Sequence, residues 1–141
     1  MGAQTTLREA VSLPGSELED ATHAMNAMVV EDDAALRSIY GDALREFGHE
    51  VRTARDGQAA LEILDSGWTP EVVFLDLRMP GMDGWEFARR LRSKPGLDGA
   101  RLVVVAAHVQ IDREARELGA DAWLQKPFDL ARLDEQARQA R

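Results

Sequence analysis

At 141 residues and 15.6 kDa the chain has room for one domain and little more. A 45% hydrophobic and 30% charged composition is that of a soluble globular protein, and the absence of cysteine excludes disulfides, thiolate chemistry and zinc sites built on Cys. A net charge of −8 disfavours phosphate backbones and anionic lipid, and no apolar run approaches a bilayer span. The expectation is a cytoplasmic protein with no nucleic acid and no membrane among its partners.

Residues 1–24 read as a flexible N-terminal tail. Pro14-Gly15-Ser16 stops any helix begun before it, and the acidic run Glu17–Asp20 has little to bury. Everything a fold needs lies in residues 25–141, and Met25 itself would serve as a start.

From there strand and helix patterns alternate. Met28-Val29-Val30 is a short continuous apolar run, as expected of a strand buried on both faces. Leu36, Ile39, Tyr40, Ala43, Leu44 and Phe47 then recur at helical spacing, with Gly48 placed for a left-handed cap. Glu50–Ala54 alternates polar and apolar, which predicts a strand with one wet face. Asp56 is placed to cap a helix carrying Ala60, Ile63 and Leu64, closed by Gly67. Val72–Leu75 is a second apolar run; Trp85, Ala88 and Leu91 mark a third helix, ended by Lys94-Pro95-Gly96. Leu102–Ala107 predicts a fourth strand, Asp112–Leu118 a short helix with Gly119 after it, and Ala122–Leu124 a last strand. The last helix is expected over Asp129–Gln139, with Leu130, Leu133 and Ala137 inward.

Five strands alternating with five helices predict an α/β fold, a doubly wound five-stranded parallel sheet with helices on both faces. The most apolar strands belong in the middle and the half-polar second and short fifth at the edges. That is the flavodoxin-like order 2-1-3-4-5.

In such folds ligands sit beyond the carboxyl ends of the strands, where the winding reverses. Glu31, Asp32 and Asp33 follow the first strand, Asp76 ends the third, and Lys126 follows the fifth. Crowded carboxylates repel one another unless a cation joins them, and an oxygen-only cluster with open positions suits Mg²⁺. The EF-hand glycine, the G-x-G-x-x-G pattern and the P-loop are all missing. Magnesium, a carboxylate and a lysine suit a phosphoryl group, whose oxygens the metal and ammonium neutralise while the carboxylate attacks. Taken singly, Glu31, Asp32 and Asp33 would be helix-terminal acids and Lys126 a solvated lysine. Asp76 is harder to explain so, because it closes an apolar run. Together, at three strand ends facing one crevice, they read as a site. The Lys126 ammonium is expected to bridge to the Asp76 carboxylate.

The segments VVEDDAALR, FLDLRMPGMDGWEF and GADAWLQKPF resemble the receiver domains of bacterial two-component response regulators, from about Met25 to the C-terminus. The resemblance implies that Glu31 and Asp32 position Mg²⁺, that Asp76 is the phosphoacceptor and that the Arg78 main-chain carbonyl is a further metal ligand. It implies that Lys126 contacts the phosphoryl oxygens, that Lys126–Pro127 is cis, and that Pro80 and Gly84 belong to the loop holding Asp76 in place. Ala106 departs from the family, which usually has Thr or Ser there, and the stretch Arg101–Asp112 contains neither. Trp123 stands at the family's switching aromatic, although an edge-strand aromatic is an equally good account of it. His108 lies near the site, where a lone exposed histidine is more often solvated than functional.

The leading expectation is a stand-alone receiver that takes a phosphoryl group from a histidine kinase or phosphotransfer protein and signals to an unidentified downstream protein by contact. No DNA-binding or enzymatic output domain is expected after the last helix. It would be no enzyme beyond catalysing its own phosphorylation and dephosphorylation. The alternative is a pseudo-receiver, an interaction module whose binding does not need phosphorylation, which Ala106 favours. A phosphohydrolase of the haloacid dehalogenase type would want a second aspartate where Arg78 stands.

Overall fold

The computed structural model describes residues 24–77, 84–107 and 110–140. Its elements run β1 (Asn26–Val30), α1 (Ala34–Glu46), β2 (Glu50–Ala54), α2 (Gly57–Asp65), β3 (Val72–Asp76), α3 (Gly84–Ser93), β4 (Arg101–Ala106), α4 (Ile111–Leu118), β5 (Ala122–Gln125) and α5 (Ala131–Arg138). The strands form one parallel sheet in the order β2-β1-β3-β4-β5, as the hydrophobic pattern predicts. Residues 1–23 of the expected tail lie outside the described residues.

Side-chain alternation along the strands builds a core on each face of the sheet. Ala27, Val29, Phe74, Val103 and Val105 meet Tyr40 and Leu44 of α1 and Leu133 and Ala137 of α5. Met28, Val30, Val73, Leu75 and Leu102 meet Leu61 and Leu64 of α2 and Phe87 and Leu91 of α3. Val104 and Ala106 pack on Ile111 and Ala115 of α4 on that second face. Each fully buried Leu, Val or Phe contributes about 1.5–3 kcal/mol, so β1, β3 and β4 anchor the fold.

Local chemistry sets the helix ends. Asp33 accepts from the Leu36 N–H at 3.0 Å and Asp56 from the Ala59 N–H at 2.8 Å, each satisfying an orphan donor of the first turn. Gly119 closes α4 at φ 75°, in the left-handed region that favours glycine.

Four apolar residues of the predicted helical patterns, among them Leu130, which the pattern places inward, lie exposed. Trp85 is 45% exposed, and Phe87, fully buried two residues on, takes the core position of α3. Ile39, Phe47 and Leu130 are also exposed. Periodicity fixes the width of an apolar stripe, but the sheet selects which edge of it is covered.

One buried polar pin joins the start of β1, the turn before β2, and α5. The Met25 N–H donates to His49 Nδ1 at 3.0 Å, which leaves Nε2 carrying the proton it donates to Asp134 Oδ1 at 2.7 Å. Arg138 Nε donates to the other Asp134 oxygen at 2.9 Å.

Candidate functional site

The crevice is built from the carboxyl ends of β1, β3 and β5. Past the end of β1, the Glu31 N–H donates to the Ala54 carbonyl at 3.0 Å, extending the sheet by one step and turning the side chain inward, where it is 2% exposed. Asp32, next in the chain, is exposed. Asp76 ends β3 paired with Val105 of β4 and is 5% exposed. Lys126 is fixed from behind, its N–H donating to the Ala106 carbonyl at 2.8 Å, and the Lys126–Pro127 bond is cis.

These side chains converge. Oxygens of Glu31, Asp32 and Asp76 all lie within 4.8 Å of one another. Lys126 Nζ donates to Glu31 Oε1 at 2.9 Å, while Asp76 Oδ2 stands 3.8 Å away. The expected lysine–Asp76 bridge is therefore the longer of two contacts. Glutamate, one methylene longer than aspartate, brings its carboxylate to the ammonium first. The second Glu31 oxygen accepts from the Asp33 N–H at 3.2 Å. Asp33 spends its own carboxylate on the α1 cap and stands outside the cluster.

Burial, then the hydrogen bond with Asp76, pushes the Glu31 carboxyl up to about 7, against the pull of Lys126 and the Asp33 N–H. Burial draws the Lys126 ammonium down, but the bond it donates to Glu31 and the charge of Asp76 outweigh this and hold the group above its ordinary value. Among the described residues one lysine faces two buried acids pressed together, a pairing that a further cation would complete. Three carboxylates, one of them exposed, with no nitrogen or sulfur ligand beside them among the described residues, fit a hard divalent ion that keeps part of its water, as Mg²⁺ does.

Three other residues singled out by the sequence lie among the described residues. Ala106 is 1% exposed among Val104, Ile111 and Ala115, so the β4 end turns a methyl group and no hydroxyl toward α4. Trp123 is 40% exposed on the β5 edge, with the Arg116 guanidinium 5.7 Å from its ring centroid. Gly84 abuts Leu77, whose Cδ2 a Cβ at that position would approach to 2.8 Å. Arg78, Pro80 and His108 lie outside the described residues.

Two neighbours of the site escaped the sequence reading. Tyr40, placed only as a core residue, stacks on Phe128 with ring centroids 5.4 Å apart. Its phenol is raised above its ordinary value by burial, with Lys126 opposing and the acids of the crevice adding. Tyr40, Phe128, Leu36, Ile39, Leu130, Ala107, Pro127 and the Lys126 stem line an apolar groove of about 440 Å³ beside the acids. Arg37 is the second: its Nη1 donates to the carbonyls of Glu31 at 2.9 Å and Asp32 at 3.3 Å. A basic residue near the start of a helix was the available signal.

Residues 27–138 match the family model for the response regulator receiver domain. The chain is 41% identical over 107 residues to the response regulator MprA of Mycolicibacterium vanbaalenii, across 75% of this chain and 46% of MprA. It thus spans about half the length of that relative. It is 30% identical over 105 residues to sporulation initiation phosphotransferase F of Bacillus subtilis, across 73% of this chain and 82% of that protein. Among solved structures, the chemotaxis protein CheY4 of Vibrio cholerae superposes with a TM-score of 0.76 at 26% identity, covering 84% of this chain and 99% of CheY4. With its sheet order and three-strand crevice, this chain belongs to the receiver domain family of two-component response regulators.

Proposed function

We propose that Asp76 accepts a phosphoryl group from a phosphohistidine on a histidine kinase or phosphotransfer protein. The observation that carries this reading is the convergence of Glu31, Asp32, Asp76 and Lys126 from three strand ends. The Asp76 carboxylate attacks phosphorus, the P–N bond to the donor imidazole breaks, and its electron pair returns to that ring. Lys126 sits where its ammonium neutralises a phosphoryl oxygen, turning from Glu31 toward the new group. Glu31, Asp32, Asp76 and the Arg78 carbonyl would hold Mg²⁺, which supplies charge neutralisation for the transferring group. No further catalytic activity is proposed beyond this self-phosphorylation and its reversal.

The apolar groove beside Lys126 suits a helix of the donor carrying its histidine to the crevice. A receiver that works on its own is the form proposed, on the likeness to phosphotransferase F, 82% of which is covered, and CheY4, 99% of which is covered. Output would pass to an unidentified protein by contact. An acidic surface argues against nucleic acid and anionic lipid, and among the described residues no helix is long and apolar enough to cross a membrane. A cytoplasmic setting accords with this reading.

Ala106 favours a second reading, a pseudo-receiver that binds its partner without phosphorylation, since no hydroxyl at the β4 end links Asp76 to α4. Incubation with Mg²⁺ and a small acyl phosphate, followed by intact mass measurement, separates the two. A single phosphate adduct that Asp76→Asn abolishes is expected; an unmodified parent would support the pseudo-receiver.

A further inference from the structure

We propose that Arg37 is a positioning residue for the metal-binding turn, an assignment that rests on the Mg²⁺ reading above and adds a residue to it. Arg37 is the fourth residue of α1, whose first turn carries no acid. The amino-terminal end of a helix concentrates positive potential, so a cation there is disfavoured unless something compensates it. The half-buried guanidinium folds back past the helix start, and Nη1 donates to the Glu31 carbonyl at 2.9 Å and the Asp32 carbonyl at 3.3 Å.

Those two carbonyls belong to the peptide units on either side of the Asp32 Cα. Holding both from one side fixes the direction in which the Asp32 side chain leaves the backbone. Among the described residues no hydrogen bond or ion pair holds the Asp32 carboxylate itself, so its aim depends on that backbone. Glu31 differs, being held by Lys126 and the Asp33 N–H. Arg37 thus supplies for Asp32 the orientation that Glu31 receives directly, and a divalent ion needs both carboxylates at once.

Charge and position predict opposite effects of removing Arg37. A cation near three acids opposes a dication, so on charge alone Arg37→Ala would bind Mg²⁺ more tightly. Loss of a group that orients a ligand instead weakens metal binding, by about tenfold at the low end of the usual range. Calorimetric Mg²⁺ titrations of the parent, Arg37→Ala and Arg37→Lys, with thermal melts of each in chelator, decide between them. The expected result is about tenfold weaker binding for Arg37→Ala, and a smaller loss for Arg37→Lys, which keeps the charge but not the fork. Should the alanine variant fail to fold, Arg37→Lys alone serves: weakened binding supports the assignment and parental affinity overturns it. Equal or tighter binding by Arg37→Ala, with or without a lowered melting temperature, overturns it too. A parent that binds no Mg²⁺ overturns the metal reading beneath it, whereas variants that match a binding parent overturn the role of Arg37 alone.

Discussion

Acidification should expel Mg²⁺ from the crevice, and Glu31 sets where. Its carboxyl, 2% exposed and pressed against Asp76, titrates at about 7 instead of 4.5 in the metal-free protein. A metal ion and that proton compete for the same oxygens. At pH 6 about one-tenth of the metal-free molecules have Glu31 ionised and at pH 8 about nine-tenths, so Mg²⁺ affinity should rise about tenfold across that interval. The same shift bears on stability. Because the folded pKa is raised, the contribution of Glu31 is fully present below 4.5 and is lost as pH rises through about 7. The loss is about 3 kcal/mol, so chelator-treated protein should be more sensitive to urea at pH 8 than at pH 5, and saturating Mg²⁺ should narrow the gap. Calorimetry at pH 6 in two buffers of different ionisation enthalpy should show about one proton released per Mg²⁺ bound. Glu31→Gln should release none. A dissociation constant unchanged from pH 6 to 8, with no proton release in the parent, would refute the reasoning.

Lys126→Met removes the ammonium 2.9 Å from Glu31 and should cost the metal-free protein about 1–3 kcal/mol at pH 8 but much less at pH 5, as read by urea midpoints; equal losses at both would mean the lysine is not paired there. His49→Ala removes one of two donors to Asp134, which keeps Arg138, and should cost about 1–3 kcal/mol while leaving Mg²⁺ affinity unchanged; a shift in metal binding would show that the pin communicates with the crevice. Ala106→Thr adds atoms to a position 1% exposed and should cost about 1–3 kcal/mol without ligand. Beryllofluoride, which stands in for the phosphoryl group, should change partner affinity little in the parent and more in Ala106→Thr. A large effect in the parent with no gain in the variant would contradict the account of Ala106.

The sheet was legible because burial on both faces leaves no polar residue in Val72–Leu75 and almost none in the other central strands. The site acids were legible because charge is costly at the end of such a run, and Asp76 stands there. What escaped was contact between distant segments. His49 has no partner nearby in sequence; Asp134 lies 85 residues on. Lys126 was matched to Asp76 because residue type alone does not show which carboxylate reaches the ammonium, and side-chain length decided for Glu31. Asp33 was grouped with the crevice acids, yet the open N–H of Leu36 claimed it as a cap. Ile39 and Leu130 fit a helical stripe equally well as core or as groove lining, and only the packing of α1 beside the turn into α5 assigns them to the groove.

Reduction of the acyl phosphate with borohydride, followed by peptide mapping, tests the central claim most directly, since it converts a phosphorylated aspartate to homoserine and marks its position. After treatment with an acyl phosphate and Mg²⁺, the account predicts homoserine at position 76 alone, lost when the metal is chelated. Conversion at Glu31, Asp32 or a surface acid instead, or a yield at Asp76 indifferent to chelation, would contradict it.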